Sequence, residues 1–411
     1  MKPSCVTEGR TSLKGKRVGP PRRKLPTNRR EPRLVNKVKN GLVGVLALVL
    51  TVIVLLLIRK HVKGIIATRF IEECEPQVSV ESILNDEQFQ QLTTTFRYRK
   101  KEPIIFYMNK HVIEVTLNFM CNVNGFDETM DRFVFVTLDA EARDTMIRHW
   151  PNIKQYYRPT ECLKEEFHYG NPQYQLFEVF RLNVGAALVR SNLSYWILQQ
   201  DTVWRTEFLS VSQTYVDSHP DSDIIFDRLG GGSSTGFREN WMNGANFYVR
   251  HTPNSLRFIT QAADIMKRWY VMDVGAMVML CGTEVAKCDF FPHSLVTCWE
   301  WLDNGDPDQL PYIIQMDSEL GQDTKVNNIK SMGFDFLMED GHSCNASAVD
   351  AVAMNLEKAR QAAYTSRKHS LFRYQWSIYW FITDCLLKIP FLSRFFRVYL
   401  PLAGYYTQMT M

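Results

Sequence analysis

The sequence predicts an α/β fold, a sheet flanked by helices and preceded by one transmembrane helix. Three observations carry that prediction. Between residues 102 and 204, apolar runs of strand length alternate with stretches whose apolar residues recur at helical spacing. Residues 41–58 contain no charged side chain. The composition, 45% hydrophobic and 22% charged over 411 residues, belongs to a chain able to bury a core and excludes wholesale disorder. That length accommodates two to three average domains, or one large α/β domain with appendages.

The formal net charge of +4 conceals two regions of opposite sign. Residues 1–60 hold 15 Lys/Arg against Glu8 and Glu31, a local excess of +13. The remaining 33 basic and 42 acidic residues leave −9 for 61–411. A basic arm alone would suit a nucleic-acid tail or a localisation signal. The segment that follows it argues otherwise. GLVGVLALVLTVIVLLLI (Gly41–Ile58) has one hydroxyl, Thr51, and no charge. As a helix it spans roughly 27 Å, close to the hydrocarbon thickness of the thinner membranes early in secretion. A buried soluble helix would carry polar positions and be shorter. A cleaved signal peptide would have a brief basic lead, whereas here the apolar run begins at Gly41 and RKHVKG follows it. Thirteen Lys/Arg precede the run, and Arg59, Lys60, Lys63 and Arg69 follow it closely. The positive-inside rule then keeps 1–40 as a cytosolic tail, makes 41–58 a signal anchor and puts the body in the lumen. The expectation is a single-pass type II protein of the Golgi membrane, with no nucleic-acid partner.

Eight cysteines lie beyond the anchor, an even number that an oxidising lumen would permit to pair, and their connectivity stays open. The spacing of Cys281, Cys288 and Cys298 is not a zinc pattern. Asn192-Leu-Ser194 and Asn345-Ala-Ser347 are glycosylation sequons, and Asn345, in a polar stretch, is the favoured one.

The luminal elements follow in order. Residues 59–99 are polar and irregular, a stem. PIIFYMNKHVIEVTLNFMC reads as a buried strand leading into a helix; RFVFVTLD (Arg132–Asp139) is a strand ending on an acid, and AEARDTMIRHW is a helix. Residues 174–191 have helical spacing, and SYWILQQDTVW (194–204) is a strand that breaks at a polar cluster. Such alternation signals a parallel sheet with crossover helices, which binds ligands at the carboxyl ends of its strands. The polar ends are therefore Asp139 and Gln199-Gln200-Asp201. DIIFDRL (223–229) is a further strand. GGGSSTG after it lacks both the dinucleotide and the Walker spacing, so it reads as a surface loop. Residues 348–363 read as a helix, and the aromatic stretch 371–399 carries too many charges for a second span. It suits an in-plane amphipathic element or a helix packed on the domain.

A strand ending in an acid can hold a divalent cation against a diphosphate, although strands also end in Asp for turn reasons. LQQDTVW (198–204), WMNGANFYVR (241–250), MDVGAMVMLC (272–281) and PYIIQMDSELGQDTK (311–325), in that order, resemble the nucleotide-diphospho-sugar transferases, glycosyltransferases with a GT-A-like, Rossmann-type mixed sheet. LNFMCN (117–122) and FVFVTLD (133–139) match the opening strands of that family. The resemblance covers roughly 100–345, taken as the transferase domain, with 346–411 as a helical, aromatic-rich extension.

The resemblance implies transfer of a sugar from a nucleotide donor (UDP-sugars included) to a glycan or glycoprotein, with retained anomeric configuration and with Mn²⁺ or Mg²⁺. The D-x-D of the family falls on Gln199-Gln200-Asp201, so Asp201 is the expected metal ligand and Gln199 replaces the first acid. Asn243, Gly244 and Asn246 match the segment that lines the sugar. Asp273 is the acid nearest the donor sugar, and with Asn243 it forms the expected catalytic pair. A His-x-Asn of the family becomes Gln315-Met316-Asp317, making Asp317 the second expected metal ligand. Arg181, Asp139, Gln199 and Lys325 complete the donor-binding set. Gln199 and Gln315 also motivate a rival reading, a non-catalytic glycan-binding or scaffold protein on the same fold.

Overall fold

The computed structural model describes residues 32–168, 170–228, 242–298, 310–316, 322–358 and scattered positions between 385 and 399. The chain divides into two units, Met1–Arg59 and Lys60–Met411. The apolar run of the first unit belongs to a long helix, α1 (Pro32–Val78), and its Leu, Val and Ile side chains are exposed. An 18-residue window there has a mean hydropathy of 3.2 with 0% of it buried, and α1 is the one helix among the described residues long and apolar enough to cross a membrane.

In the second unit, residues 60–99 differ from the irregular stem expected from their polarity. The end of α1, α2 (Val80–Leu84) and α3 (Glu87–Arg99) make this stretch helical. The polar composition hides apolar stripes at helical spacing: Ile71, Cys74 and Val78, then Phe89, Thr93 and Phe96, all buried. Asp86 caps α3, its carboxylate accepting from the Gln88 amide N at 2.9 Å. A Cys74–Cys162 disulfide and Arg158, whose Nη1 lies 3.0 Å from Asp86 Oδ2, tie these helices to the loop beyond the third strand.

The sheet is built from β1 (Ile104–Met108), β2 (Phe133–Thr137), β3 (Lys154–Tyr157), β4 (Tyr195–Ile197), β6 (Ile224–Arg228), β7 (Met242–Val249) and β8 (Cys288–Phe290), in the order β3-β2-β1-β4-β7-β6-β8. All neighbours are parallel except β7, which runs antiparallel to both β4 and β6. β1 is buried at every position because both its faces are covered. Ile105 and Tyr107 enter one core, while Ile104, Phe106 and Met108 enter the other. The first core is completed by α7 (Pro172–Arg190), α9 (Pro253–Arg268) and α10 (Asp273–Gly282). The second is completed by α4 (Ile113–Asn122), α6 (Ala140–His149) and α8 (Phe208–Ser218), with the short α5 (Asp127–Met130) between α4 and β2.

Two expectations change here. SYWILQQDTVW is not one interrupted strand: β4 ends at Ile197, and β5 (Thr202–Trp204) joins a second sheet, β5-β10-β9, with β9 (Val296–Cys298) and β10 (Ile313–Gln315). The Thr202 hydroxyl donates to Gln199 O at 2.8 Å and closes the turn that separates them. LNFMCN, matched to an opening strand, is the second half of α4. Its asparagines serve as surrogate backbone. Asn122 Nδ2 donates to Trp204 O at 3.0 Å and Trp204 N donates back to Asn122 Oδ1 at 2.7 Å. Asn118 makes the same exchange with Phe334 O and Phe336 N.

After α11 (Gln322–Ser331) and α12 (Ala346–Asp350), Val352 and Leu356 are buried beside Leu117, Ile314 and Phe334. The core therefore continues past residue 345, where the extension was expected to begin. Disulfides Cys121–Cys344 and Cys281–Cys288 close further links. The GGGSSTG loop and most of 371–399 lie outside the described residues.

Candidate active site

The strand order reverses beside β1: the chain moves outward through β2 and β3, then returns to place β4 on the other side of β1. Crevices at the carboxyl ends of strands flanking such a reversal are where α/β sheets bind ligands. Because β7 is antiparallel, its first residues lie beside the carboxyl ends of β4 and β6. The segments 199–201, 227–228 and 243–246 are thereby brought together, with Gln315 at the end of β10.

Asp227, on β6, is fully buried and organises this region. Its Oδ1 accepts from Gly244 N at 2.8 Å, and its Oδ2 accepts from Asn246 N at 2.9 Å, Asn246 Nδ2 at 3.0 Å and Asn243 Nδ2 at 3.3 Å. Burial pushes the Asp227 carboxyl up to about 6, against the pull of those N–H donors. Sequence reasoning missed this residue, although DIIFDRL carries the same signal, a strand ending on an acid, that pointed to Asp139 and Asp201.

A ring of amides connects Asp227 to Asp201. Asn246 Oδ1 accepts from Gln199 N at 3.2 Å, and Asn243 Nδ2 also donates to Gln315 Oε1. Gln315 Nε2 donates to Gln199 Oε1 at 2.9 Å and to Asp201 Oδ2 at 3.3 Å. On that same oxygen sits Lys325 Nζ from α11, at 2.5 Å. The expected residues Gln199, Asp201, Asn243, Gly244, Asn246 and Lys325 thus belong to one connected network. Gln200 points away, its Nε2 donating to Tyr107 O at the end of β1.

Gly244 has φ +75, and a Cβ there would lie 2.7 Å from Val274 Cγ2. Gly244→Ala is expected to cost about 2 kcal/mol or more, combining left-handed strain with a clash. Gly125→Ala isolates the strain, because Gly125 has φ +101 with nothing within 4 Å of its Cβ position. Urea unfolding of the two variants should show the larger loss for Gly244→Ala.

Arg181 and Asp273 occupy a buried layer beneath Gly244 rather than the ring itself. Arg181 Nη1 lies 2.6 Å from Glu178 Oε2 and 3.6 Å from Asp273 Oδ2, and Nη2 donates to Gly244 O at 3.5 Å. Burial, reinforced by the neighbouring Asp273, holds the Glu178 carboxyl well above the usual carboxylate range, with Arg181 pulling the other way. Arg181 was expected to face donor phosphates. Its charge is instead committed to two carboxylates, and it positions the Gly244 turn from below. Asp273, expected near the donor sugar, is buried, with Oδ1 accepting from Val274 N at 2.7 Å.

Asp139 stands apart from the ring. Its two carboxylate oxygens accept from Ala142 N at 2.8 Å and Lys110 N at 2.7 Å, the work of a helix cap. Asn192 is exposed in a left-handed turn (φ 60), whereas Asn345 is half-buried and its Oδ1 accepts from Ala348 N. Asn192 is thus the more accessible sequon, the reverse of the sequence-based preference. Asp317 lies outside the described residues.

A hard divalent cation wants several oxygen ligands, carboxylates foremost. Among the described residues no three His, Cys, Asp or Glu side chains gather as a metal site. Asp201 Oδ2 already holds an ammonium, and the side-chain oxygens of Gln199 and Gln315 face N–H donors. Of the two expected metal ligands, Asp201 is therefore paired with Lys325, and Asp317 lies outside the described residues.

Residues 128–329, about half of the chain, match the family model described as nucleotide-diphospho-sugar transferase. Through this segment the chain belongs to that family. The match runs from α5 into α11 and includes the whole ring, Lys325 among it. The transferase is similar in structure to mouse xyloside xylosyltransferase 1 (11% identity, 54% of this chain and 99% of that one, TM-score 0.36). It is similar to the galactosyltransferase LgtC in complex with donor and acceptor sugar analogs (9% identity, 63% and 95%, TM-score 0.35). It is also similar to the Pyrobaculum calidifontis mannosyltransferase PcManGT in complex with GDP-Man and Mn²⁺ (10% identity, 80% and 98%, TM-score 0.33). Comparison with curated protein sequences gave no match.

Proposed function

We propose that the transferase moves a sugar from a nucleotide-diphosphate donor, a UDP-sugar in the first instance, to a glycan or glycoprotein acceptor in the secretory pathway, with retention at the anomeric carbon. The observation that carries this reading is the ring itself. Residues from three separated segments, Gln199–Asp201, Asn243–Asn246 and Lys325, meet beside the sheet reversal and carry the polar groups a diphosphate sugar requires. In this reading Asp201 and Lys325 address the diphosphate end. Asn243 and Asn246, rigidly aligned by Asp227, orient the sugar. Water exclusion and alignment supply the rate, since fixed dipoles aimed at developing charge need no rearrangement as the donor bond breaks. The apolar α1, the basic tail and three disulfides support a Golgi, type II placement. Asn192 is the first sequon to examine for glycan.

Full-length protein in detergent, incubated with a panel of nucleotide sugars and titrated calorimetrically with UDP and GDP, tests the proposal. Donor hydrolysis or transfer is expected with one sugar, and Asp201→Ala should lower it about a hundredfold by unsettling Lys325 and Gln315 together. Acceptor glycan binding with no nucleotide affinity would overturn the proposal in favour of a non-catalytic glycan-binding protein.

A further inference from the structure

We infer that the body of the transferase rests on the membrane surface beside its apolar run, with Trp269 seated among the lipid headgroups. The inference rests on the membrane placement proposed above and deepens it. Trp269 follows α9 and is 65% exposed, yet its backbone is fixed. Its N–H donates to Ile265 O at 2.8 Å, and its carbonyl accepts from Gln175 Nε2 at 2.7 Å. The next residue, Tyr270, is buried against Ala67, and its Cβ lies 3.7 Å from where a Cβ on Gly64 would stand. Lys267 Nζ, 2.8 Å from Glu75 Oε1, holds the end of α9 to the same helix. The backbone at Trp269 is extended (φ −129, ψ 134), so its indole points away from the side taken by Tyr270.

The position of this indole relative to the apolar run decides its surroundings. Ile58 ends the run six residues before Gly64. Residues 59–64 are helical and rise about 9 Å, and even fully extended they would reach no further than about 21 Å. Headgroups extend roughly 5–8 Å beyond the hydrocarbon on each side, within reach of an indole held beside Gly64. Tryptophan is favoured at that depth because its ring is apolar and its N–H is not. Val62, Ile65, Ile66 and Arg69 recur at i, i+3, i+4 and i+7, one helical face, and all four are exposed. Charge changes sign along the same stretch. Arg59–Arg69 holds four Lys/Arg and no acid, and Glu72, Glu73 and Glu75 follow. The bases suit lipid phosphates, and the acids begin one turn further from the apolar run. Arg268, exposed beside Trp269, adds another base. Such a local excess is needed because residues 61–411, at a net −9, are not drawn as a whole to an anionic surface. A single helix leaves the body free to tilt. A second contact at Trp269 removes that freedom, at little ordering cost because the backbone there is already fixed.

The test uses full-length protein in phosphatidylcholine vesicles containing phosphatidylserine. Tryptophan emission is quenched either by lipid brominated near the top of its acyl chains or by iodide in the water. Trp269 is one of nine tryptophans, so its contribution is read as the difference between wild type and Trp269→Phe. Brominated lipid is expected to remove a share of wild-type emission, on the order of one tryptophan in nine, that is missing from Trp269→Phe. Iodide quenching should be equal in the two proteins, and so should the urea midpoint, since the substituted ring is exposed. Equal quenching by brominated lipid would overturn the inference. A Trp269 share reached by iodide would overturn it as well, because the indole would then face water. A share reached by neither quencher would do the same, because protein, such as a second copy of the chain, would then cover the indole. Retention in the vesicles after alkaline carbonate checks the membrane placement separately. Release by carbonate would overturn that placement and the inference together, whereas retention with equal quenching by brominated lipid would overturn the inference alone.

Discussion

Arg181→Met is expected to destabilise the transferase by about 3–5 kcal/mol, the usual consequence of removing one partner from a buried ionic cluster. The guanidinium lies between Glu178 and Asp273, with side-chain exposures of 5% for Arg181, 2% for Glu178 and 5% for Asp273. Removing it leaves two carboxylates close together without a cation. The loss should depend on pH. Burial already raises the folded-state acid affinity of Glu178 above its unfolded value, and without the cation the neighbouring Asp273 raises it further. The stabilising contribution of Glu178 is then fullest below its unfolded range and is lost as pH rises through the raised folded value. Urea unfolding at pH 5 and pH 8 should therefore show the larger deficit at pH 8. Glu178→Gln in the Arg181→Met background should recover part of it, since one charge is then absent. A deficit that is the same at both pH values would mean that lost packing, not stranded charge, sets the cost.

Asp227→Ala should cost a comparable amount by a different route. It strands the donors of Gly244 N, Asn246 N, Asn246 Nδ2 and Asn243 Nδ2, and each buried unsatisfied group costs roughly 1–3 kcal/mol, less than additively. Nucleotide affinity should fall with stability, because Asn246 also receives Gln199 N. Asp227→Asn keeps one oxygen toward the donors and should be milder. The wild-type acid, pushed up to about 6, stabilises the fold most below its unfolded value near 4, and this contribution is lost as pH rises through 6. The wild type should lose roughly 3 kcal/mol more than Asp227→Asn between pH 4 and pH 7. Parallel pH–stability profiles for the two proteins would refute the assignment.

The alternation of strands and helices was legible because hydrophobic period is local. IIFYM and FVFVT announce strands buried on both faces, and 174–191 announces its helix. The apolar run was legible for the same reason. Residues 59–99 misled because bulk polarity masked the stripe of Phe89, Thr93 and Phe96, a signal that counting by period would have found. The sequence also pointed to most members of the ring individually. It assigned Arg181 to the ligand, whereas the fold spends that charge on Glu178 and Asp273. It passed over Asp227 because nothing in a strand-terminal acid tells which one will be buried among amide donors.

By itself the sequence determined most of the strands and helices, the membrane-compatible helix and the separation of a basic tail from an acidic body, because spacing, length and charge are properties of neighbouring residues. Only the tertiary structure decided what the site is made of. The antiparallel β7 sets Asn243–Asn246 beside the end of β4, and α11 delivers Lys325 to Asp201 across a sequence separation of 124 residues. An ammonium and a carboxylate acquire their joint meaning from a distance of 2.5 Å and from the exclusion of water around them, and neither quantity is written in the order of residues along the chain.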